Sequence, residues 1–184
     1  MTPPFRNPLL WLRRFRHRCG YGVHSPFAFS LITEVIYERG TFYEYKRLDQ
    51  MLLWWQKFRV RRYLHLLFRL SNYSHPSKIY LFGASELERS YLTAACPKAR
   101  VLEGAEVSEG NAEEDGESHL VFLTSPSDEA LRLVRPGTML VQANVHAYKT
   151  WWDALPKVLG FDLYDVGIAF FDPKYNKQDF KVNF

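Results

Sequence analysis

The sequence predicts an α/β protein in which a mostly parallel sheet follows a basic helical segment. Beyond residue 78, short runs rich in Val, Ile, Leu and Phe alternate with helix-compatible stretches, as in strands joined by crossover helices. Before residue 75, apolar residues instead recur every three or four positions, which is typical of amphipathic helices. We therefore expect a helical segment at 1–74 and an α/β domain at 75–184, divided at the turn cluster 71–77.

Charge is divided unevenly between the two parts. Residues 1–78 hold 14 basic and 4 acidic side chains, whereas residues 79–184 hold 10 and 16. Such a cationic segment suits RNA, anionic lipid or an acidic partner, and equally suits docking on the acidic half of its own chain.

The two cysteines, Cys19 and Cys96, have neither zinc-site spacing nor the density of a disulfide framework, so we expect a reducing cytoplasm. No apolar run predicts a signal peptide or a membrane span.

Three helices are predicted in the N-terminal segment. A short basic helix is expected at 5–18. Ser25 as a cap with Pro26 behind it begins a second helix that ends at Gly40. A third helix is expected over 45–72, where four rings interleave with cations in the manner of an RNA-binding surface. Those rings are Trp54, Trp55, Phe58 and Tyr63. Rings at helical spacing belong more often to a core than to a ligand site.

The α/β domain is predicted to contain six strands and three helices. The strands are expected at 78–82, 100–103, 119–124, 138–143, 162–171 and 178–183, and the helices at 85–95, 127–134 and 147–159. Only residues 173–177 separate the last two strands, which is too short for a crossover helix. These two strands are therefore expected to pair as an antiparallel hairpin.

The segment from Lys78 to Gly104 has the outline of a strand, turn, helix and strand that bind a nucleotide. Its turn keeps a single glycine, Gly83, and its second strand ends at the acid Glu103. The acidic stretch 104–118 that follows lacks the spacing of a calcium loop, and it predicts a solvated loop.

The whole chain resembles a bacterial family of class I S-adenosylmethionine-dependent methyltransferases. The resemblance rests on GVHSPF at 22–27, LLFRLSNY at 66–73, VGIAFF at 166–171 and DFKVNF at 179–184. It implies a Rossmann-like methyltransferase fold that ends in the antiparallel hairpin.

The resemblance also implies where S-adenosylmethionine would bind. Gly83 corresponds to the turn that the cofactor's amino-acid end approaches, and Glu103 to the acid that accepts hydrogen bonds from the ribose hydroxyls. Ser85 and Thr124 complete the predicted cofactor-binding set, and His146 is the candidate general base. A loop histidine without a catalytic role is the commoner case.

Several family features are missing. Leu81 replaces an acid before the glycine, and the turn lacks its second glycine. Thr124, Ala143 and Asn144 stand where acids would bind a divalent metal, so no catalytic metal is expected. We therefore expect a degenerate methyltransferase of weak or no activity. The alternatives are an active O- or N-methyltransferase without metal, and a basic module that binds RNA or an acidic partner.

Overall fold

The computed structural model of this chain describes residues 23–103 and 118–184. The predicted helix at 5–18 lies outside these residues, as does all but the last residue of the acidic stretch 104–118. The protein is α/β, as predicted, and a seven-stranded, mostly parallel sheet lies between two layers of helices.

The helices before the sheet are short. They are α1 (Pro26–Ser30), which continues as a π-helical turn (Leu31–Ile36), α2 (Tyr43–Leu48) with a 3₁₀ turn (Asp49–Met51), α3 (Trp54–Arg59) and α4 (Arg61–Ser74). In the described parts of the chain, no helix has the length and apolar character needed to span a membrane.

Helix α1 begins where the sequence predicts. The Ser25 hydroxyl accepts a hydrogen bond from the Ala28 amide, and Pro26 occupies the first turn. Phe27 packs edge-on against Phe170 and lies 4.4 Å from the Tyr175 ring. Ser25, Pro26 and Phe27 of the GVHSPF element therefore cap α1 and anchor it to the sheet.

The same helical run ends at Ile36 instead of Gly40. The Arg69 guanidinium donates hydrogen bonds to the carbonyls of Val35 and Ile36, at 2.7 and 3.1 Å. A cation that bonds the last carbonyls stabilises a helix end, so a contact from α4 fixes the position of this terminus.

The single helix predicted over 45–72 is wrong. Leu52 and Leu53 are extended, and Val60 separates α3 from α4. The Gln56 side chain accepts from the Leu53 amide and begins α3 anew. Leu52 is buried, whereas the adjacent Leu53 is exposed. One continuous helix over 45–72 would not place its whole apolar stripe on the core, so the chain breaks here.

The remaining elements alternate between strand and helix. They are β1 (Lys78–Phe82), α5 (Glu86–Ala95), β2 (Arg100–Glu103), β3 (His119–Leu123), α6 (Asp128–Arg132), β4 (Thr138–Ala143), a 3₁₀ turn (Val145–Tyr148), α7 (Lys149–Ala154), β5 (Leu159–Asp162), β6 (Val166–Phe170) and β7 (Gln178–Lys181). The predicted helix 147–159 therefore ends early, ahead of Pro156, and β5 begins at Leu159.

The strand order is β2-β1-β3-β4-β6-β5-β7. Strand β6 is antiparallel to both its neighbours, and the other pairs run parallel. Six strands therefore point their carboxyl ends at one edge of the sheet.

The predicted hairpin between 162–171 and 178–183 is wrong. The first of these segments contains the turn itself: β5 and β6 form the antiparallel hairpin, and β7 pairs in parallel with β5 at the sheet edge. The Asp162 carboxylate accepts from the Tyr164 amide at 2.7 Å, and the Leu163 amide donates to the Val166 carbonyl. An aspartate that bonds the backbone two residues onward is a turn former, and it divides the apolar run.

Helices cover both faces of the sheet. Residues of α1, α2, α4 and α5 pack on one face with Ile79, Leu120 and Ile168, and residues of α6 and α7 pack on the other with Tyr80 and Val121. Strand residues alternate between the two clusters, as the pleat requires. The first cluster crosses the predicted boundary near residue 75, so apolar contacts hold the helical segment on the sheet.

Candidate functional site

The strand order reverses direction at β1. The chain goes from β1 outward to β2 and then returns to the other side of β1 as β3. In open α/β sheets, ligands bind beyond the carboxyl ends of the strands at such a reversal. Gly83 follows β1 and Thr124 follows β3, so both flank this point.

Gly83 and Thr124 contact each other directly. Gly83 has a φ of +73°, and the Thr124 hydroxyl donates to the carbonyls of Phe82 and Gly83 at 3.4 and 3.3 Å. A Cβ built on Gly83 would lie 2.5 Å from this hydroxyl oxygen. The side of the turn that faces β3 is therefore filled by Thr124, which restricts access to the turn backbone there.

Ser85 caps helix α5. Its hydroxyl and its amide donate to Glu88 Oε2 at 2.7 and 2.8 Å, and the hydroxyl accepts from the Glu88 amide at 3.4 Å. This reciprocal pattern is a capping box. Both polar groups of the predicted cofactor residue are therefore engaged within the helix terminus.

A third residue, Tyr63 on α4, bonds to the capping box of Ser85 and Glu88, and the sequence did not predict this role for it. Glu88 is 2% exposed, and its Oε1 accepts from the Tyr63 hydroxyl on α4 at 2.6 Å. Burial, followed by the nearby Glu88 charge, raises the Tyr63 pKa well above its usual value. Tyr63 thus belongs to the interior and not to a solvent-facing row of rings.

Glu103 ends β2, next to Leu81 of β1. Its side chain is 42% exposed, and one carboxylate oxygen lies 3.6 Å from Arg89 Nε of α5. The carboxylate remains accessible to a diol, but a cation of the chain competes for it.

His146 lies at the same edge of the sheet, beyond β4. Its ring stacks on Tyr164 with centroids 4.7 Å apart, and Nδ1 lies 3.4 Å from Asp165 Oδ1. The His146 amide also donates to the Tyr164 carbonyl. Tyr164 and Asp165 both belong to the β5–β6 turn, which therefore holds and orients this imidazole. Such an arrangement suits a general base.

Within residues 23–103 and 118–184, no group of three or more His, Cys, Asp and Glu side chains is arranged to hold a metal ion. The expected lack of a catalytic metal stays a prediction.

A second concave region lies in the helical segment. We call it the cationic cleft; its volume is about 1010 Å³. Its walls are formed by the end of the π-helical turn, residues 37–42, α2, Lys57 of α3, one face of α4, and Phe184 beyond β7. It contains none of the five residues predicted for the cofactor and catalysis. The sequence predicted the positive charge of this segment. The concave shape comes from packing between residues that are distant in the chain, and no local sequence pattern predicts it.

Six basic side chains line the cationic cleft, together with two acidic ones. The basic residues are Arg39, Lys46, Lys57, Arg61, Arg62 and Arg69, and the acidic residues are Glu38 and Asp49. The Asp49 carboxylate oxygen accepts from Tyr91 at 2.7 Å and lies 2.9 Å from His65 Nε2. Burial lowers the His65 pKa, and the neighbouring arginines lower it further, against the effect of Asp49.

Comparison with protein families, with curated proteins and with solved structures gave no match.

Proposed function

We propose that this chain is a methyltransferase-like protein with a Rossmann-like sheet whose S-adenosylmethionine site no longer supports turnover, and that it acts by binding. The observation that carries this proposal is that Thr124 fills the side of the Gly83 turn that faces β3. A cofactor whose amino-acid end approached this backbone from the β3 side would have to displace a hydroxyl whose one proton is shared between the carbonyls of Phe82 and Gly83.

Two further contacts support the same reading. The Ser85 polar groups serve the capping box with Glu88, and Glu103 faces the Arg89 guanidinium. A ligand would have to replace these bonds, so its net gain from each group is small. Positioning of cofactor and nucleophile is the main source of rate in methyl transfer, and weak cofactor binding removes it.

Calorimetric titration with S-adenosylmethionine and S-adenosylhomocysteine tests this function. We expect no heat and no thermal shift at about 1 mM ligand, because a ligand that binds the native state stabilises it by mass action. Micromolar binding that Glu103→Ala abolishes, and that the exposed control Glu129→Ala retains, would instead support an active enzyme. In that enzyme His146 would be the base and no metal would take part.

A second candidate function is binding of RNA or an acidic partner by the basic helical segment. Trp54 and Trp55 are 76% and 45% exposed, beside Lys57. Exposed rings interleaved with cations suit stacking on single-stranded bases.

Salt dependence tests the RNA function. Binding to a short oligouridylate should weaken steeply between about 50 and 200 mM salt. Trp54→Ala should reduce the affinity more than Trp54→Phe, which keeps a ring for stacking. Absence of any binding at the lower salt concentration would rule this function out.

A further inference from the structure

Five cations of the cationic cleft lack acidic partners within the described parts of the chain. Among these residues, no carboxylate lies within 4.0 Å of the cationic groups of Arg39, Lys46, Lys57, Arg61 or Arg69, although other lysines and arginines of the protein do have such partners. The two acids of the cleft are engaged by other donors: Asp49 contacts Tyr91 and His65, and Glu38 accepts from the Gly40 amide. Six basic side chains against two carboxylates leave the lining of the cleft with an excess of positive charge.

The orientation of α4 adds to this potential. Arg61 is its first residue, and the preceding Val60 makes no side-chain cap. The amino terminus of a 14-residue helix carries a partial positive charge, so cations in its first turn oppose the helix dipole. An anion in the cleft would offset both contributions.

Aromatic rings form part of the same wall. Tyr43 is 92% exposed and lines the cleft, so its face is open to a planar group. Phe184 lies under Arg62, with the guanidinium carbon 4.2 Å from the ring centroid, and Tyr45 stacks on His65 at 3.7 Å. The cleft thus offers stacking surface next to unbalanced cations.

Size distinguishes a small ligand from a polymer. The cleft volume of about 1010 Å³ lies at the upper end of the range of about 300 to 1,000 Å³ for small-molecule sites. Arg69 also lines the cleft, but it is only 6% exposed and already donates to the carbonyls of Val35 and Ile36. The exposed cations of the cleft are therefore the ones open to a phosphate.

From these observations we propose that the cationic cleft binds a nucleoside polyphosphate. Its phosphates would lie against the exposed Arg39, Lys57 and Arg61, and its base would stack on Tyr43. Arginine suits phosphate because its planar fork donates two parallel hydrogen bonds. This site is independent of the state of the Gly83 turn, and the proposal holds whether or not the protein is an enzyme.

Titration calorimetry of the full chain with ADP, pyrophosphate and adenosine at about 50 mM salt tests the proposal. ADP should bind best, and pyrophosphate and adenosine each at least about tenfold more weakly. The double substitution Lys57→Gln with Arg61→Gln should weaken ADP binding at least about tenfold. Lys98→Gln with Arg100→Gln removes the same charge from exposed residues outside the cleft, and this control should change ADP binding less than about twofold.

Three results would overturn the proposal. The first is absence of ADP and pyrophosphate binding to the folded protein at millimolar ligand. The second is equal weakening by the cleft pair and the control pair, which would mean diffuse charge attraction without a site. The third is tight binding of an oligouridylate of about 12 nucleotides that ADP fails to displace, which would assign the surface to RNA. Tyr43→Ala separates stacking from charge: it should weaken ADP while leaving pyrophosphate unchanged.

Discussion

The carboxyl edge of the sheet and the cationic cleft differ in how their polar groups are satisfied. At the edge, Thr124 bonds the Gly83 turn, Ser85 bonds Glu88, and His146 lies against Asp165. In the cleft, Arg39, Lys57 and Arg61 have no carboxylate partner among the described residues. Groups that bond one another hold a fold together, whereas exposed cations without a partner contribute little to it and remain available to an anion. Substitutions at the edge should therefore change stability first, and those in the cleft should change binding first.

The largest effect is expected at Glu88. Glu88→Ala removes the acceptor for Tyr63 and for two donors of Ser85, and it leaves a buried hydroxyl without this partner. Loss of such a buried network should lower the free energy of unfolding by about 3 kcal/mol. For a chain of this length the melting temperature should fall by roughly 6 to 12 °C, measured by circular dichroism.

Glu86→Ala is the matched control, because Glu86 lies exposed in the same first helical turn. It should cost no more than about 0.5 kcal/mol. If the two variants have the same melting temperature, the capping box does not stabilise the fold, and Ser85 would be available to a ligand.

The carboxyl edge of the sheet shows which features of the fold and of the candidate site could be predicted from the sequence and which could not. Strands β1 to β4 were predicted almost to the residue. For β1, β3 and β4 the reason is that buried parallel strands are largely continuous apolar runs. Gly83, Ser85 and Thr124 do meet at one place, as the strand order requires. Their engagement with Glu88 and with each other depends on rotamers and on Tyr63 from α4, which no local pattern encodes.

A smaller effect is expected at Gly83. Gly83→Ala places a Cβ where φ is +73° and 2.5 Å from the Thr124 hydroxyl. Positive φ costs an alanine about 1 kcal/mol and the clash adds to it, so we expect a total loss of about 2 kcal/mol in chemical denaturation.

The double variant Thr124→Ala with Gly83→Ala separates the cost of the clash from the cost of the positive φ. The clash disappears with the hydroxyl, and the strain from φ remains, so the double variant should be about 1 kcal/mol more stable than the sum of the single changes predicts. Simple additivity would mean that Thr124 does not fill the space beside the turn.

The helical segment was harder to predict. Its helices are broken by contacts from distant residues: Arg69 bonds the end of the π-helical turn, and Asp49 bonds Tyr91 of α5. The β5–β6 turn was missed for the opposite reason, because its signal is local but small, a single Asp162 bonding the Tyr164 amide within an apolar run. Sequence periodicity therefore identified the α/β body and overlooked the cleft.

A pH effect is expected from His65 in the cleft wall. Burial, together with Arg61 and Arg69, lowers its pKa below the usual 6.5, while Asp49 opposes the shift. The unfolded state therefore binds a proton more readily than the folded state does. The contribution of His65 to stability is complete above pH 6.5 and is lost as pH falls through the lowered folded value. Thermal melts from about pH 7.5 to 5 should show this decline.

His65→Gln provides the comparison for this pH effect, because glutamine does not titrate in the range. The variant should lose part of the wild-type decline between about pH 6.5 and 5 while keeping the part that other groups cause. Identical pH profiles for the two proteins would mean that His65 is protonated equally in both states.

The smallest effect on stability is expected when cations of the cationic cleft are removed, and this effect tests the contrast between the cleft and the carboxyl edge of the sheet most directly. Lys57→Gln with Arg61→Gln removes cations that have no carboxylate within reach among the described residues, one of them in the first turn of α4, where it opposes the helix dipole. The free energy of unfolding should stay unchanged or rise by up to about 0.5 kcal/mol at low salt. Arg47→Gln, which removes an exposed cation paired with Glu44 in the same helix and outside the cleft, should instead lower it by about 0.5 kcal/mol. Urea denaturation at low salt and again at about 1 M salt measures both variants, and the difference between them should vanish at high salt because exposed charges are then screened.

A loss above about 1 kcal/mol in the cleft variant would show that the fold itself depends on Lys57 and Arg61. Their charge would then be explained by structure, and the contrast with the carboxyl edge would disappear.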